Sequence, residues 1–192
     1  MSVTDADGGV PGQGHLGPMV DRFDERADQW LEQFRGNPTL DAVFKAASTV
    51  GDFSLVWQLV GVGRGVTKRR PDQVVLLSAL LGAESLLVNQ GVKRLFNRTR
   101  PTATGDARLP VRTPSTSSFP SGHASSATFA ATMLSGWDRG PIGVVWWAVA
   151  AVVGTSRAYV RIHHASDVAA GALVGTALGL VGRRIARRVL RD

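Results

Sequence analysis

The sequence predicts an all-α fold: a polytopic membrane helical bundle of about five transmembrane helices preceded by an amphipathic helix. Three observations predict it. Five apolar stretches follow one another between residues 46 and 182, each bounded by Arg, Lys or Pro. Charged residues lie almost wholly in the gaps between those stretches, so the mean hydropathy of +0.03 averages over segregated blocks. A chain of 192 residues has room for one compact domain, because two cores would each be too small to bury much surface.

Residues 1–19 are rich in Gly and Asp, with neither a basic nor an apolar signal-peptide region, and are expected to form a flexible tail before a single helical domain over 20–192. Over residues 20–35, Val20, Phe23, Ala27, Trp30, Leu31 and Phe34 recur every three or four positions, which predicts an amphipathic helix ending at Gly36 to Pro38. That helix suits either a membrane surface or a packed core. Membrane spans are expected near 46–63, 74–92, 121–137, 140–160 and 167–184. The first carries only Asp52 and the second only Glu84, while residues 121–137, 140–156 and 168–182 contain no Asp, Glu, Lys or Arg. These lengths sit near the lower limit of about 17 residues for crossing a bilayer. In the last span Gly171, Gly175 and Gly179 form a small-residue stripe that permits close helix approach. Glu84 is costly in mid-span and is expected to be paired within the bundle.

Eight of the 15 acids precede residue 42 with only three of the 22 bases; beyond it stand 19 bases and 7 acids. Such a basic chain suits nucleic acid, anionic lipid or phosphorylated substrates. The bases fall between apolar stretches without interleaved stacking aromatics, which argues against nucleic acid. The absence of Cys excludes disulfides, thiolate metal sites and a cysteine nucleophile. Ten bases, at Arg64, Lys68, Arg69, Arg70, Arg139, Arg183, Arg184, Arg187, Arg188 and Arg191, fall on one side of the expected layout. By the positive-inside rule that side is cytoplasmic. Eight fall opposite, of which Arg94, Arg98, Arg108, Arg112 and Arg161 read as membrane-boundary anchors. The GVGRG run at Gly61–Gly65 lacks nucleotide-loop spacing and reads as a span-ending turn.

Three segments meet on that opposite side: Lys93 to Pro101 (KRLFNRTRP), Phe119 to His123 (FPSGH) and Ser156 to Asp167 (SRAYVRIHHASD). Phosphoryl transfer needs positioning and fixed positive charge. Lys93, Arg100 and Arg157 supply charge without a metal, and Pro-Ser-Gly before His123 suits a helix start whose N–H groups bind anions. Ser121 adds a hydroxyl, and Gly122 permits close backbone approach. Imidazole attacks phosphorus when a carboxylate fixes its tautomer. His163 and Asp167, four apart, lie on one helical face if the segment is helical, which makes His163 the nucleophile and leaves His123 to protonate the leaving oxygen and activate water.

Together, Lys93 with Arg100-Pro101, Pro120-Ser121-Gly122-His123, and Ser156-Arg157 with His163 and Asp167 resemble the three-part signature of the type 2 phosphatidic acid phosphatase and vanadium haloperoxidase superfamily. The resemblance covers roughly residues 46–182. It implies a metal-independent, cofactor-free membrane lipid phosphatase with a phosphohistidine intermediate, acting on a phosphate monoester or diphosphate such as a polyprenyl diphosphate, a prenyl-linked sugar phosphate, phosphatidic acid or phosphatidylglycerophosphate. The matched Lys93, Arg100, Ser121, Gly122 and Arg157 would hold the phosphate, and His123, His163 and Asp167 would do the chemistry. The expected location is the plasma membrane, with the site extracytoplasmic. After His163 the pattern departs, because His164-Ala165 stand where family members often have an aromatic residue and proline. His164 is thus a rival nucleophile, disfavoured by its spacing. The alternatives are a haloperoxidase-like oxidoreductase and a non-catalytic lipid-binding membrane protein.

Overall fold

The computed structural model of the chain describes residues 10–102 and 106–190, and all regular structure among them is helical. Seven α-helices follow in order: α1 (Pro18–Glu32), α2 (Pro38–Val50), α3 (Leu55–Lys68), α4 (Pro71–Leu86), α5 (Gly122–Trp137), α6 (Pro141–Tyr159) and α7 (Ala165–Val189). Beyond α4 the chain stays helical through a wide π-type turn (Leu87–Gly91) and a tight 3₁₀ turn (Val92–Leu95). Of the expected tail, residues 1–9 lie outside the described residues. Residues 10–17 form turns tied to α1, with the Gly14 N–H donating to Asp21 at 3.0 Å, and α1 begins at Pro18.

The helix pair α5 and α7 forms the centre. Both run in the same direction, and the glycine stripe brings them into backbone contact. A Cβ on Gly171 would stand 2.3 Å from the Ser121 carbonyl oxygen, and one on Gly175 2.0 Å from that of Ser125. Thr128 adds a cross-helix hydrogen bond to the Ala172 carbonyl at 3.0 Å. Every residue of α5 from Ala124 to Leu134 is buried. The surrounding helices α3, α4 and α6 cover it with Trp57, Leu77, Leu81, Ala150 and Val153. Glu84 hydrogen-bonds Ser125 and so ties α4 to α5, the pairing expected of a carboxyl group within the bundle.

Among the described residues three helices are long and apolar enough to cross a membrane: Pro71–Leu95, Pro141–Tyr159 and Ala165–Val189. At 16 residues α5 is just under the usual crossing length, and the other helices surround it. The expected span 46–63 is not one helix. It breaks at Gly51–Ser54, where Ser54 takes the left-handed conformation (φ 58°), leaving a 14-residue α3. Its first part belongs to α2, which Asn37 starts by accepting from the Thr39 and Leu40 N–H groups, with Pro38 in the first turn.

In α1 the expected apolar stripe is split, with Leu31 in the core and Phe23 and Trp30 turned outward. Met19, Phe23 and Trp30 are more than half exposed, whereas Asp24 and Leu31 are buried. The helix docks through its acids. Asp24 pairs with Arg98, Asp28 with Arg35 and Arg161, and Glu32 with Arg35, Arg108 and Arg161. Arg35, buried in the α1–α2 turn, also donates to the carbonyls of Tyr159 and Ala158.

The helix stripe has a measurable consequence. Gly175→Ala is expected to cost about 1–3 kcal/mol, the range for overpacking, and to lower the melting temperature in a fixed detergent. Gly63→Ala, where a methyl group meets open space, should leave it unchanged or slightly raised; equal melting temperatures would contradict the α5–α7 contact.

Candidate active site

The three motif segments converge at the end of the bundle where α5 and α7 begin. Ser121 caps α5, its Oγ accepting from the Ala124 N–H, and its own N–H donates to the Asp167 carbonyl at 2.9 Å. Two helix N-termini are thereby locked side by side, and unpaired N–H groups in a first helical turn attract anions. Gly122 packs tightly, since a Cβ there would reach 3.0 Å from Asn89 Oδ1.

Arg157, in the last turn of α6, is the strongest pointer to a ligand. Its side chain is 1% exposed, and NH1 donates to the carbonyl and hydroxyl oxygens of Ser48. Its Nε and NH2 are buried with no hydrogen-bond partner. Leaving charged donors buried and unpaired is costly. A guanidinium fork free on one edge matches the oxygens of a phosphate. Lys93 is buried at 6% exposure, within electrostatic reach of Arg100, Arg157 and Asp167. Both its position and its depth follow from the π-type turn and the 3₁₀ turn that end the α4 segment.

His163 lies in the α6–α7 loop at 3% exposure. Its Nε2 is 3.1 Å from Arg100 NH1, and its Nδ1 is 3.4 Å from Asp167 Oδ2, near enough to orient the ring though not aligned as a hydrogen bond. The partners assign the tautomer: Nδ1 carries the proton toward the carboxylate and Nε2 keeps its lone pair. Burial drives the imidazole well below its usual pKa, with Arg100 and Arg157 acting in the same direction against Asp167. His163 is therefore neutral at neutral pH. Arg100 also donates to the carbonyls of Pro114, Thr116 and Ile162, which fixes the long loop against the α6–α7 turn.

His164 faces away from this cluster. It starts α7 as the capping residue, and its Nε2 sits against Gly12, where an added Cβ would come within 2.8 Å. The eight residues singled out by the motifs are thus gathered at one end of the bundle, and the rival histidine caps α7 against Gly12, lining with His163 a cavity beside the cluster.

A family model described as the PAP2 superfamily matches residues 73–191. The chain belongs to the PAP2 superfamily. It is 30% identical over 159 residues to decaprenylphosphoryl-5-phosphoribose phosphatase of Mycobacterium tuberculosis, covering 79% of this chain and 86% of that protein. It is 37% identical over 117 residues to lipid A 1-phosphatase of Porphyromonas gingivalis, covering 59% of this chain and 23% of that one. Its fold matches the crystal structure of a transmembrane PAP2-type phosphatidylglycerolphosphate phosphatase from Bacillus subtilis with TM-score 0.72 at 22% identity, covering 91% of this chain and 90% of that chain. The protein is a membrane phosphatase of the PAP2 type.

Two residues of this PAP2 site escape the motifs. Arg98, expected as a boundary anchor, is 3% exposed and bridges Asp167 and Asp24 at 2.7 Å each. With the His164 N–H at 2.9 Å, it fixes both oxygens of the carboxylate that orients His163. Arg108 and Arg161, likewise expected as anchors, bind the acids of α1 and Asp106 instead. Hydrogen bonding from Arg108 holds the Asp106 carboxyl down at about 2.

The second missed residue is Asp52, whose Oδ1 is 3.0 Å from His123 Nε2 and 4.0 Å from Arg157 NH1. The break after α2 puts it there. Gly51 passes so close to His123 that a Cβ would reach its Cδ2 at 2.7 Å. A signal existed in the sequence: an isolated carboxylate in an apolar stretch, directly after a glycine.

Asp52→Asn retains shape but removes the charge facing His123, and is expected to lower kcat about 10–100-fold with KM little changed; an unaltered kcat would remove Asp52 from the mechanism. For His163, the acid limb of the kcat/KM profile should fall below the ordinary imidazole value of 6.5. Protonation removes the Nε2 lone pair only once the pH drops through the depressed pKa. An acid limb at or above that value would contradict the geometry.

Proposed function

We propose that this PAP2 phosphatase hydrolyses the terminal phosphate of a prenyl-linked sugar phosphate through a phosphohistidine on His163. The observation that carries the reading is the free edge of Arg157, which lies within electrostatic reach of both His123 and His163. A phosphate on that edge lies between a nucleophile and an acid, with Lys93, Arg100, Ser121 and Gly122 supplying the remaining contacts. His163 Nε2 attacks phosphorus while the bond to the leaving oxygen breaks, and His123 gives that oxygen its proton. Asp167 stabilises the charge that develops on the His163 ring. Water, deprotonated by His123, then attacks phosphorus; the P–N bond breaks and inorganic phosphate leaves.

The sugar-phosphate class is supported by a cavity of about 240 Å³ adjoining His163, lined partly by Gln13, Asp24, Asp28, Gln29 and Thr102. These groups offer acceptors and donors to hydroxyls, while Leu31, Pro101 and Ala158 offer apolar contact to a ring face. The mycobacterial relative's name, with its phosphoribose, fits the same class.

An extracytoplasmic site in the plasma membrane is supported by charge. Six of the eight bases at the site end (Lys93, Arg98, Arg100, Arg108, Arg157 and Arg161) serve the pocket or its ion pairs. The ten at the other end are left to direct topology.

Purified protein should release phosphate from decaprenylphosphoryl-5-phosphoribose faster than from phosphatidic acid, phosphatidylglycerophosphate or a prenyl diphosphate. Release should persist in EDTA and be blocked by vanadate. His163→Ala should lower it by at least about 10³-fold. Strict metal dependence, or a His163→Ala variant with parental turnover, would overturn the mechanism; faster release from another lipid would overturn the substrate class alone.

A further inference from the structure

The end of the bundle opposite the active site contains a second polar cavity, of about 580 Å³. It lies where α3, α5 and α7 finish and where α4 and α6 begin. The 16 residues of α5 separate it from Ser121 by about 24 Å at 1.5 Å per residue. Six basic side chains line it (Arg64, Lys68, Arg70, Arg139, Arg183 and Arg187) against the single carboxylate of Asp138.

That carboxylate is already committed. Asp138 accepts from Arg64 Nε at 2.7 Å and from the Trp146 indole at 3.2 Å. Arg64 also donates to Gln73 and lies over the Trp137 ring, 5.3 Å from its centroid. Arg70 pairs with Asp72 at 2.9 Å. Among the described residues no carboxylate forms an ion pair with Arg139, Arg183 or Arg187. Gly136 helps to assemble the group, because a Cβ there would stand 2.7 Å from Arg183 Nε; the glycine lets that side chain lie across the end of α5.

Two ordinary roles account for only part of this arrangement. Bases at helix C-termini complement the helix dipole, which suits Lys68, Arg183 and Arg187. Arg70 and Arg139 stand just before the N-termini of α4 and α6, where the dipole disfavours a cation and favours an anion. Bases that direct topology need only lie beyond the span ends, and mutual repulsion would spread them over the surface. Here they converge on one concave space whose volume suits a headgroup.

We propose that this cavity is an anion site, distinct from the catalytic one, that takes phosphate groups. Its ligand is a phosphodiester headgroup of an anionic phospholipid or a free phosphate or pyrophosphate ion. Basic pockets between membrane helices hold lipid headgroups by the same chemistry.

Parent protein and an Arg183→Gln/Arg187→Gln variant, both full length, would be reconstituted in nanodiscs of phosphatidylcholine with phosphatidylglycerol or cardiolipin, then released for native mass spectrometry. In a second arm, both proteins in zwitterionic detergent are titrated with inorganic pyrophosphate while the melting temperature is followed. An exposed single variant, Arg139→Gln, guards against misfolding of the double variant, and phosphate release in pure phosphatidylcholine should stay within about two-fold of the parent for all three.

Retention of anionic lipid at least about ten-fold greater in the parent than in the double variant, with intermediate retention in Arg139→Gln, would establish a lipid-headgroup site. A melting rise with pyrophosphate in the parent that is halved or lost in the variants would establish a soluble-anion site. Equal lipid retention and equal melting shifts across all three proteins would overturn the proposal.

Discussion

The backbone contact between α5 and α7 is the constraint on which the rest of this structure depends. A membrane interior offers no hydrophobic drive between helices, so association rests on close packing. Gly171, Gly175 and Gly179 supply it by leaving α7 without a side chain at the positions that meet the α5 backbone. Because the two helices run in the same direction, their N-termini emerge together, and the Ser121 N–H bonds the Asp167 carbonyl. A motif on α5 and a motif on α7 thus become one site. The partial positive charges of two helix starts add to those of Lys93, Arg100 and Arg157.

Concentrating that much positive charge in a buried space carries an electrostatic cost, and the surrounding carboxylates offset it. Asp167 faces His163 on one side and Arg98 on the other; Arg98 in turn reaches Asp24 on α1. A second chain of alternating charges runs from Asp28 through Arg161, Asp106 and Arg108 to Glu32. This explains why α1 turns its acids inward and its aromatics outward. The inner face answers the site's charge, and Phe23 and Trp30 remain on the outside.

Much of this was legible in the sequence because it rests on local spacing. The helix start after Pro120 and the glycine stripe translate directly into geometry, and the four-residue step from His163 to Asp167 brings those two together although His163 stands in the loop before α7 and not on its helical face. What was hidden depends on contacts distant along the chain. The acids of α1 read as the polar side of an amphipathic helix, and nothing near them in sequence reveals arginines 74 or 133 residues away. Asp52 was obscured by an apolar run that looked continuous, although the left-handed Ser54 divides it. Apolarity alone does not distinguish α7, much of whose apolar surface is exposed, from α5, which is buried among the other helices.

Arg100 bears on how the resting protein behaves. Its NH1 points a hydrogen bond at the very nitrogen of His163 that would attack phosphorus, while its other donors grip the loop carbonyls of Pro114 and Thr116. On the proposed mechanism the nucleophile is masked until an oxyanion draws that N–H away, so that recognition and unmasking are a single event. Selectivity then arises before any bond is broken: a neutral ester, however well it fits, has no charge with which to withdraw the guard.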